Sequence, residues 1–450
     1  MGDYGGNYTP AASHGKAVGR AREQQMTSKE AAIKIIKRLH RSGFEALLAG
    51  GCVRDMLLRR TASDYDVTTN ARPEDVMKIF KRTLKVGAKF GVVIVLIEDK
   101  KVEVATFRTE TGYADGRHPA AVKFAGAAED ASRRDFTING MFYDPLKKEV
   151  IDYVNGQADL KKELIRTIGR PAKRFGEDYL RMLRAVRFST QLGFAIEPRT
   201  FSAICSSAKN ISKISGERIA MELEAILVSP NRSAGVSLLA QSGLAEAIFP
   251  GFAGESVFAK ATPDKKMKLA IEVLSQLRKK SGFPLALACL FAGCPMEFAI
   301  EKCKVLKLSR SQTMHIKFLL VNRGKLLDEK MSLAQLKLIV SEPYFWDLYE
   351  LQRAIQRAVR LSSPSKTERR SVAALVNLRK RIKALGDVEL RPKPLLDGHA
   401  LIRLGAVQGP DLGQLAEEMY IAQLEGKLQR KEQAEQWVQN WLKKHKAIEK

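Results

Sequence analysis

Cysteine, histidine and negative charge are all in short supply in this 450-residue chain. The five cysteines are Cys52, Cys205, Cys289, Cys294 and Cys303. Their number is odd and none has CxxC spacing, which argues against a disulfide framework and against a zinc site. A reducing, cytoplasmic setting fits that usage. The six histidines are scattered and support no zinc site either. No apolar run approaches the roughly 20 residues needed to span a bilayer, and the best candidate, Phe283 to Phe291, reads as a buried helix. The start lacks the apolar segment of a signal peptide and reads as a loose tail over 1–26. No fixed-period repeat occurs, so a solenoid is not indicated. Acidic residues number 50 against 76 basic ones, a formal net charge of +26. That surplus calls for a polyanionic partner. Without a strongly amphipathic Lys-rich terminal helix to suggest a membrane surface, nucleic acid is the expected partner.

The patterns present divide the chain in two. Thr27 and Glu30 have capping-box spacing ahead of Ile33, Ile35, Ile36 and Leu39, and Gly43 closes that helix. Ala46 to Ala49 reads as a strand running into Gly50 and Gly51. Tyr65–Thr68, Val92–Leu96 and Val102–Phe107 read as further strands, with a helix over Pro73–Lys81. From about Pro171 the β-rich runs stop and 3.6-residue periodicity dominates. The expected fold class is therefore α+β: a small α/β head with a mixed sheet over 27–170, then helices. Breaks near Pro230, Pro250–Gly251 and Pro284 divide the helical part into short helices, grouped as a neck with the base-selecting helix over 171–230, a body over 231–350 and a tail over 351–450. The tail carries a late basic zone from Arg369 to Lys383 and is expected to bind RNA.

The chemistry concentrates in the head. If Tyr65 to Thr68 is a strand, Asp64 and Asp66 point the same way, because side chains alternate along a strand. Two carboxylates on one face repel unless a cation lies between them. Mg²⁺ is the natural guest, a hard ion that takes a few carboxylates and the phosphates of a substrate. Gly50 and Gly51 let backbone N–H groups approach a triphosphate closely. Glu103 stands in Val102-Glu103-Val104, an apolar strand with no evident reason to hold a charge. The functional reading makes it a general base toward an RNA 3′-hydroxyl; the plain alternative is an exposed edge position. Two metals about 4 Å apart would stabilise the attacking and leaving oxygens.

Five stretches then resemble the class II tRNA nucleotidyltransferase and bacterial poly(A) polymerase family. They are Leu48-Ala49-Gly50-Gly51-Cys52-Val53-Arg54-Asp55 with Asp64-Tyr65-Asp66-Val67-Thr68-Thr69; Arg133 to Met141; Asp152 to Leu160; Glu177 to Phe188; and Gly216-Glu217-Arg218-Ile219 with Glu222-Leu223. They occur in the family's order between Ala46 and Leu227. The resemblance implies that Asp64 and Asp66 bind the metals. Gly50, Gly51 and Arg54 would meet the nucleotide phosphates, and Arg134, Asp135 and Asn139 would lie by the ribose and phosphates. Asp178 and Arg181 would read the base, with Arg184 and Arg187 lining the same pocket. Gly140 stands where the family usually has alanine, which should loosen packing there without removing chemistry.

Three-residue spacing puts Asp178 and Arg181 on one helix face. Asp178 only accepts hydrogen bonds and Arg181 only donates them. Cytosine and adenine each show an amino donor beside a ring-nitrogen acceptor, whereas uracil and guanine show the reverse, so the pair would admit C and A from CTP and ATP. The plain alternative is a salt bridge on a wet helix face. Among family members, Val86 to Val92 and the segment from Phe107 to Pro119, with Tyr113, Asp115, Gly116, Arg117 and His118, look like CCA-adding enzymes. So do Leu404-Gly405, Gly409-Pro410, Gly413 and Gln423 to Gly426 in the tail. The absence of any His-Asp dipeptide excludes the phosphohydrolase domain of some relatives. The resemblance thus implies CCA addition to the tRNA 3′ end. Poly(A) synthesis or A-only addition on the same scaffold are the alternatives, and an inactive RNA-binding scaffold or a small-molecule nucleotidyltransferase the rivals outside it.

Overall fold

The computed structural model describes residues 26–85, 91–113, 119–252, 265–362 and 366–446. The expected tail over residues 1–25, the stretch from Val86 to Phe90 and the loop residues Asp115, Gly116, Arg117 and His118 lie outside them. The described residues form two compact units, one from 26–109, 122–131 and 141–153, the other from 110–121, 132–140 and 154–446. Residues 132–140 and 154–170, read with the head from sequence, group with the helical unit.

In the first unit α1 (Ser28–Arg41) starts at the expected capping box, with Thr27 and Glu30 bonding each other's backbone. It packs against β1 (Ala46–Ala49), β2 (Asp66–Thr69) and β5 (Lys100–Thr106) through a buried stripe of Ala31, Ala32, Ile35, Ile36 and Leu39. Between β1 and β2 lies α2 (Gly51–Leu57); α3 (Pro73–Ile79), β3 (Thr83–Leu84) and β4 (Val92–Ile97) follow β2. β6 (Arg108–Tyr113) and β7 (Pro119–Phe124) form a two-stranded sheet of their own, before α4 (Ala127–Arg133). β8 (Phe142–Asp144) and β9 (Glu149–Ile151) complete a seven-stranded mixed sheet, ordered β3-β4-β5-β2-β1-β8-β9. β2 and β5 pair in parallel and the other neighbours are antiparallel.

The second unit is helical, as expected. Its only strands among the described residues, apart from the parts of β6 and β7 within 110–121, are the two-residue β10 (Leu164–Ile165) and β11 (Ala195–Ile196). α5 (Gly156–Lys161) and α6 (Pro171–Glu177) lead to α7 (Leu180–Leu192), which buries Leu180, Leu183, Val186 and Phe188. α8 (Pro198–Ser207) and α9 (Gly216–Leu227) follow; α9 packs on α7 through Ile219, Leu223 and Ile226. The helix at Phe283–Leu290 is buried throughout. The break expected near Pro284 falls between the helix ending at Ser275 and this one, and Pro284 lies in its first turn, where a missing N–H costs nothing. A last apolar cluster built on Leu401, Leu415, Met419 and Val438 closes the tail. No helix among the described residues is long and apolar enough to cross a membrane.

Candidate active site

The head brings Gly50, Gly51 and Arg54 to one turn and Asp66 and Glu103 to one sheet face. Gly50 has φ +74° and ψ −130°, a conformation that side-chain-bearing residues rarely adopt, and its N–H donates to the Met141 carbonyl at 3.2 Å. The backbone therefore turns sharply from β1 into α2. In the β1–β2 register Asp66 stands opposite Ala49, directly beside that turn. Cys52, in the same turn, is buried near the Asp66 carboxylate; burial first and that charge second push its thiol up to about 11. Burial and a raised pKa mark it as a packed thiol, protonated at neutral pH. Arg54 is held by its neighbour, with Nε of Arg54 donating to Oδ1 of Asp55 at 2.9 Å.

Two sequence expectations change here. β2 begins at Asp66, so Asp64 precedes the strand and alternation does not place it on the Asp66 face. Both carboxylates are exposed. Glu103 is not a charge stranded in an apolar strand. β5 alternates, with Lys101 and Glu103 exposed and Val102 and Val104 buried, so an outward charge costs little. Register supports Glu103 instead. Val67 pairs with Val104 in the parallel β2–β5 ladder, so Asp66 and Glu103, one residue earlier on each strand, stand level on the same face. Among the described residues no three His, Cys, Asp or Glu side chains gather as a ready ligand set. Mg²⁺ needs no such cage, because it commonly keeps waters and substrate phosphates with one or two carboxylates. The oxygen donors Asp64 and Asp66 fit that ion.

The helical unit holds the remaining site residues, nearly all already paired. Asp135 is buried and receives Nε and an Nη of Arg184 at 2.8 and 2.6 Å, the Phe136 N–H at 2.8 Å and the Asn139 side-chain amide at 3.2 Å. Burial pushes its carboxyl up, but Arg184 and these donors outweigh that and hold it at about 2. The short 3₁₀ turn carrying Asn139 is fastened by the Thr137 hydroxyl to Asp159 at 2.7 Å, and Arg166 in turn holds Asp159. Arg134 is half-buried beside Asp135 in the chain. Arg187 lies 3.0 Å from Glu222 and over the Phe188 ring, and Arg184 is 3.8 Å from the same carboxylate. Burial raises the Glu222 carboxyl despite those two arginines.

Asp178 and Arg181 do not share a helix face. Asp178 is the extended residue between α6 and α7, at φ −152° and ψ 106°, while Arg181 lies in the first turn of α7. Nor do they form the salt bridge that was the plain alternative. Arg181 pairs with Glu177 at 2.6 Å and donates to the Arg174 carbonyl at 2.9 Å; Asp178 pairs with Arg218 at 2.7 Å. Glu177, Arg218 and Glu222 were quoted in the family stretches without a role. The available signal was the i,i+4 spacing of Arg218 and Glu222, which puts both on one face of α9.

Gly140 also departs from expectation. A β-carbon there would come within 2.7 Å of Val154 Cγ2 and 2.9 Å of Ile168 Cδ1. The branched neighbours have taken up the space, so the glycine leaves no loose packing.

A glycine turn feeding a carboxylate-bearing mixed sheet defines the class as a nucleotidyltransferase head. Accordingly, residues 46–166 match the model described as the poly A polymerase head domain, and 193–255 that described as a probable RNA and SrmB-binding site of polymerase A. Sequence similarity extends much further. A CCA-adding enzyme of Lactobacillus johnsonii is 35% identical over 412 residues, 90% of this chain and 95% of the relative. One of Geobacillus stearothermophilus is 43% identical over 240 residues, 53% of this chain and 57% of that relative. The solved CCA-adding enzyme of Bacillus stearothermophilus in complex with CTP superposes with a TM-score of 0.72 at 28% identity, covering 94% of this chain and all of that one. The chain belongs to the family of the CCA-adding enzymes.

Proposed function

We propose that this protein adds CCA to the 3′ end of tRNA, taking C and A from CTP and ATP without a template and releasing pyrophosphate. The observation that carries this reading is the 35% identity to a CCA-adding enzyme, which runs through head and helical unit alike. In the reaction the RNA 3′-hydroxyl oxygen bonds to the α-phosphorus of the triphosphate, the bond to the β-phosphate's bridging oxygen breaks, and pyrophosphate departs. Glu103 takes the hydroxyl proton. Asp64 and Asp66 would hold Mg²⁺, which when bound would supply positive charge to offset the triphosphate. The Gly50–Gly51 turn and Arg54 hold phosphates. Asp135 is committed to Arg184 and Asn139, so it acts by fixing Asn139, beside Arg134, for ribose and phosphate and Arg184, beside Arg187, for the base pocket. Asp178 and Arg181 accept the amino-bearing edges of C and A. RNA is retained by the late basic helices, where Arg357, Arg379, Lys380 and Lys383 line a groove of about 740 Å³ beside Trp346 and Tyr349. We place the enzyme in the cytoplasm, in keeping with five free thiols.

The test uses tRNAs ending at the discriminator base, at C and at CC, incubated with Mg²⁺ and CTP, ATP or both. Sequenced products should read CC from CTP alone on the first substrate, A from ATP on the third, and CCA from both. Long A tracts, or A addition with no C addition, would assign the chain to poly(A) synthesis or A-only addition instead.

A further inference from the structure

Asp178 does not choose its own direction. It lies outside both flanking helices, and its two oxygens are held from opposite ends: Oδ1 accepts the Leu180 N–H at 3.0 Å, at the start of α7, and Oδ2 accepts an Nη of Arg218 at 2.7 Å. Arg218 comes from α9, forty residues further along the chain. The two side chains are 16% and 21% exposed, so the pair is mostly shielded from water. One turn further along α9, Glu222 takes Arg187 of α7. α9 thus grips both the entry to α7 and its middle, and Arg181 is held independently from the α6 side through Glu177 and the Arg174 carbonyl.

We propose that Arg218 is a specificity-determining positioning residue, which fixes the plane of the Asp178 carboxylate so that its remaining lone pairs meet an amino group and confront a carbonyl. The proposal rests on the reading of Asp178 and Arg181 as the base-selecting pair. A carboxylate offers about four acceptor positions. The Leu180 N–H and Arg218 occupy two, and the directions of the others are then set. With only the Leu180 contact the side chain can turn about its two torsions. A turned carboxylate still serves a base that offers a donor, because the donor attracts it back. It no longer opposes a base that offers a carbonyl, because nothing holds it in the repulsive position. Rejection therefore suffers more than acceptance, and the loss appears as misincorporation before it appears as slow turnover. A pair that only ties α9 to the start of α7 would instead alter stability and leave base choice unchanged.

The experiment compares Arg218→Ala, Arg218→Lys and Arg218→Gln with the unaltered enzyme. It measures kcat/KM for CTP, UTP, ATP and GTP on tRNA acceptors, together with the thermal midpoint and tRNA affinity. For Arg218→Ala the UTP:CTP and GTP:ATP ratios should rise on the order of tenfold, kcat with CTP should fall less than that, and Arg218→Lys should restore part of the discrimination. Unchanged ratios in folded Arg218→Ala, or in both other variants if Arg218→Ala does not fold, overturn the inference. Asp178→Asn and Arg181→Ala are run alongside. If neither shifts the ratios, the base-selecting reading itself fails; if they do and the Arg218 variants do not, only the role of Arg218 fails.

Discussion

Asp64, Asp66 and Glu103 in the head are exposed, whereas Asp135, Glu177, Asp178 and Glu222 in the helical unit each lie within ion-pair distance of an arginine. The two arrangements suit two tasks. Carboxylates proposed for a cation and a triphosphate need to be reached from water, and exposed ones meet a ligand at small desolvation cost. Carboxylates meant to orient donors or to discriminate edges need fixed directions, and shielded arginines supply them. The head should therefore lose chemistry without losing stability when its carboxylates are removed, and the helical unit should lose stability or selectivity.

The largest effect is expected in the head. Asp66→Ala or Asp64→Ala should lower nucleotide addition by about 10³-fold or more, while the unfolding free energy moves by less than about 0.5 kcal/mol. Steady-state turnover with Mg²⁺, paired with a tRNA-binding titration, checks this; near-normal turnover in either variant removes the metal assignment.

Asp135→Ala should show the opposite profile. It strands Arg184 beside a vacated buried position and should destabilise the protein by roughly 3–5 kcal/mol in denaturant unfolding. The same carboxylate gives a pH signature. Its folded value of about 2 lies below the ordinary 3.8, so its stabilising contribution is full above about pH 4 and is lost as pH falls toward 2. Glu222, raised by burial, works in the opposite sense and favours the folded state as it protonates. Asp135→Ala should therefore flatten the acid limb of the stability curve, and an unchanged limb would mean that the Asp135–Arg184 pair contributes nothing.

A smaller effect is expected at Gly140. Gly140→Ala, though it restores the residue usual in the family, should destabilise by about 1–3 kcal/mol, because Val154 is β-branched and cannot easily turn away. A neutral or stabilising result in thermal unfolding would show that Val154 and Ile168 can shift after all.

What could be read in the sequence was what local pattern determines. The Thr27–Glu30 capping box, the strand at Ala46–Ala49 leading into the glycine turn, and the apolar faces of α7 and α9 each depend on neighbours within a few residues. The candidate site residues were named through the family stretches, but their pairings were not legible there. Asp135 with Arg184, and Asp178 with Arg218, are 49 and 40 residues apart; the first pair meets because the segment ahead of the 3₁₀ turn lies against α7, the second because α9 packs on α7. The position of Asp178 was misread because a three-residue spacing suits a helix. An Asp two residues ahead of a helix can instead accept the first N–H from outside, as Asp178 does from Leu180. Gly140 was misread for a related reason: whether a missing methyl leaves a gap depends on Val154 and Ile168, which sequence alone does not place beside it.

The central claim, that paired charges in the helical unit serve base choice, is tested most directly by Arg181→Ala in competition assays of UTP and GTP against CTP and ATP. The metal carboxylates and phosphate contacts should still anchor any triphosphate, so discrimination should fall by about 1–3 kcal/mol, roughly tenfold to a hundredfold, with addition still measurable. A variant that is less stable yet selects C and A as sharply as before would contradict the account, and would leave Glu177–Arg181 as no more than a structural ion pair between α6 and α7.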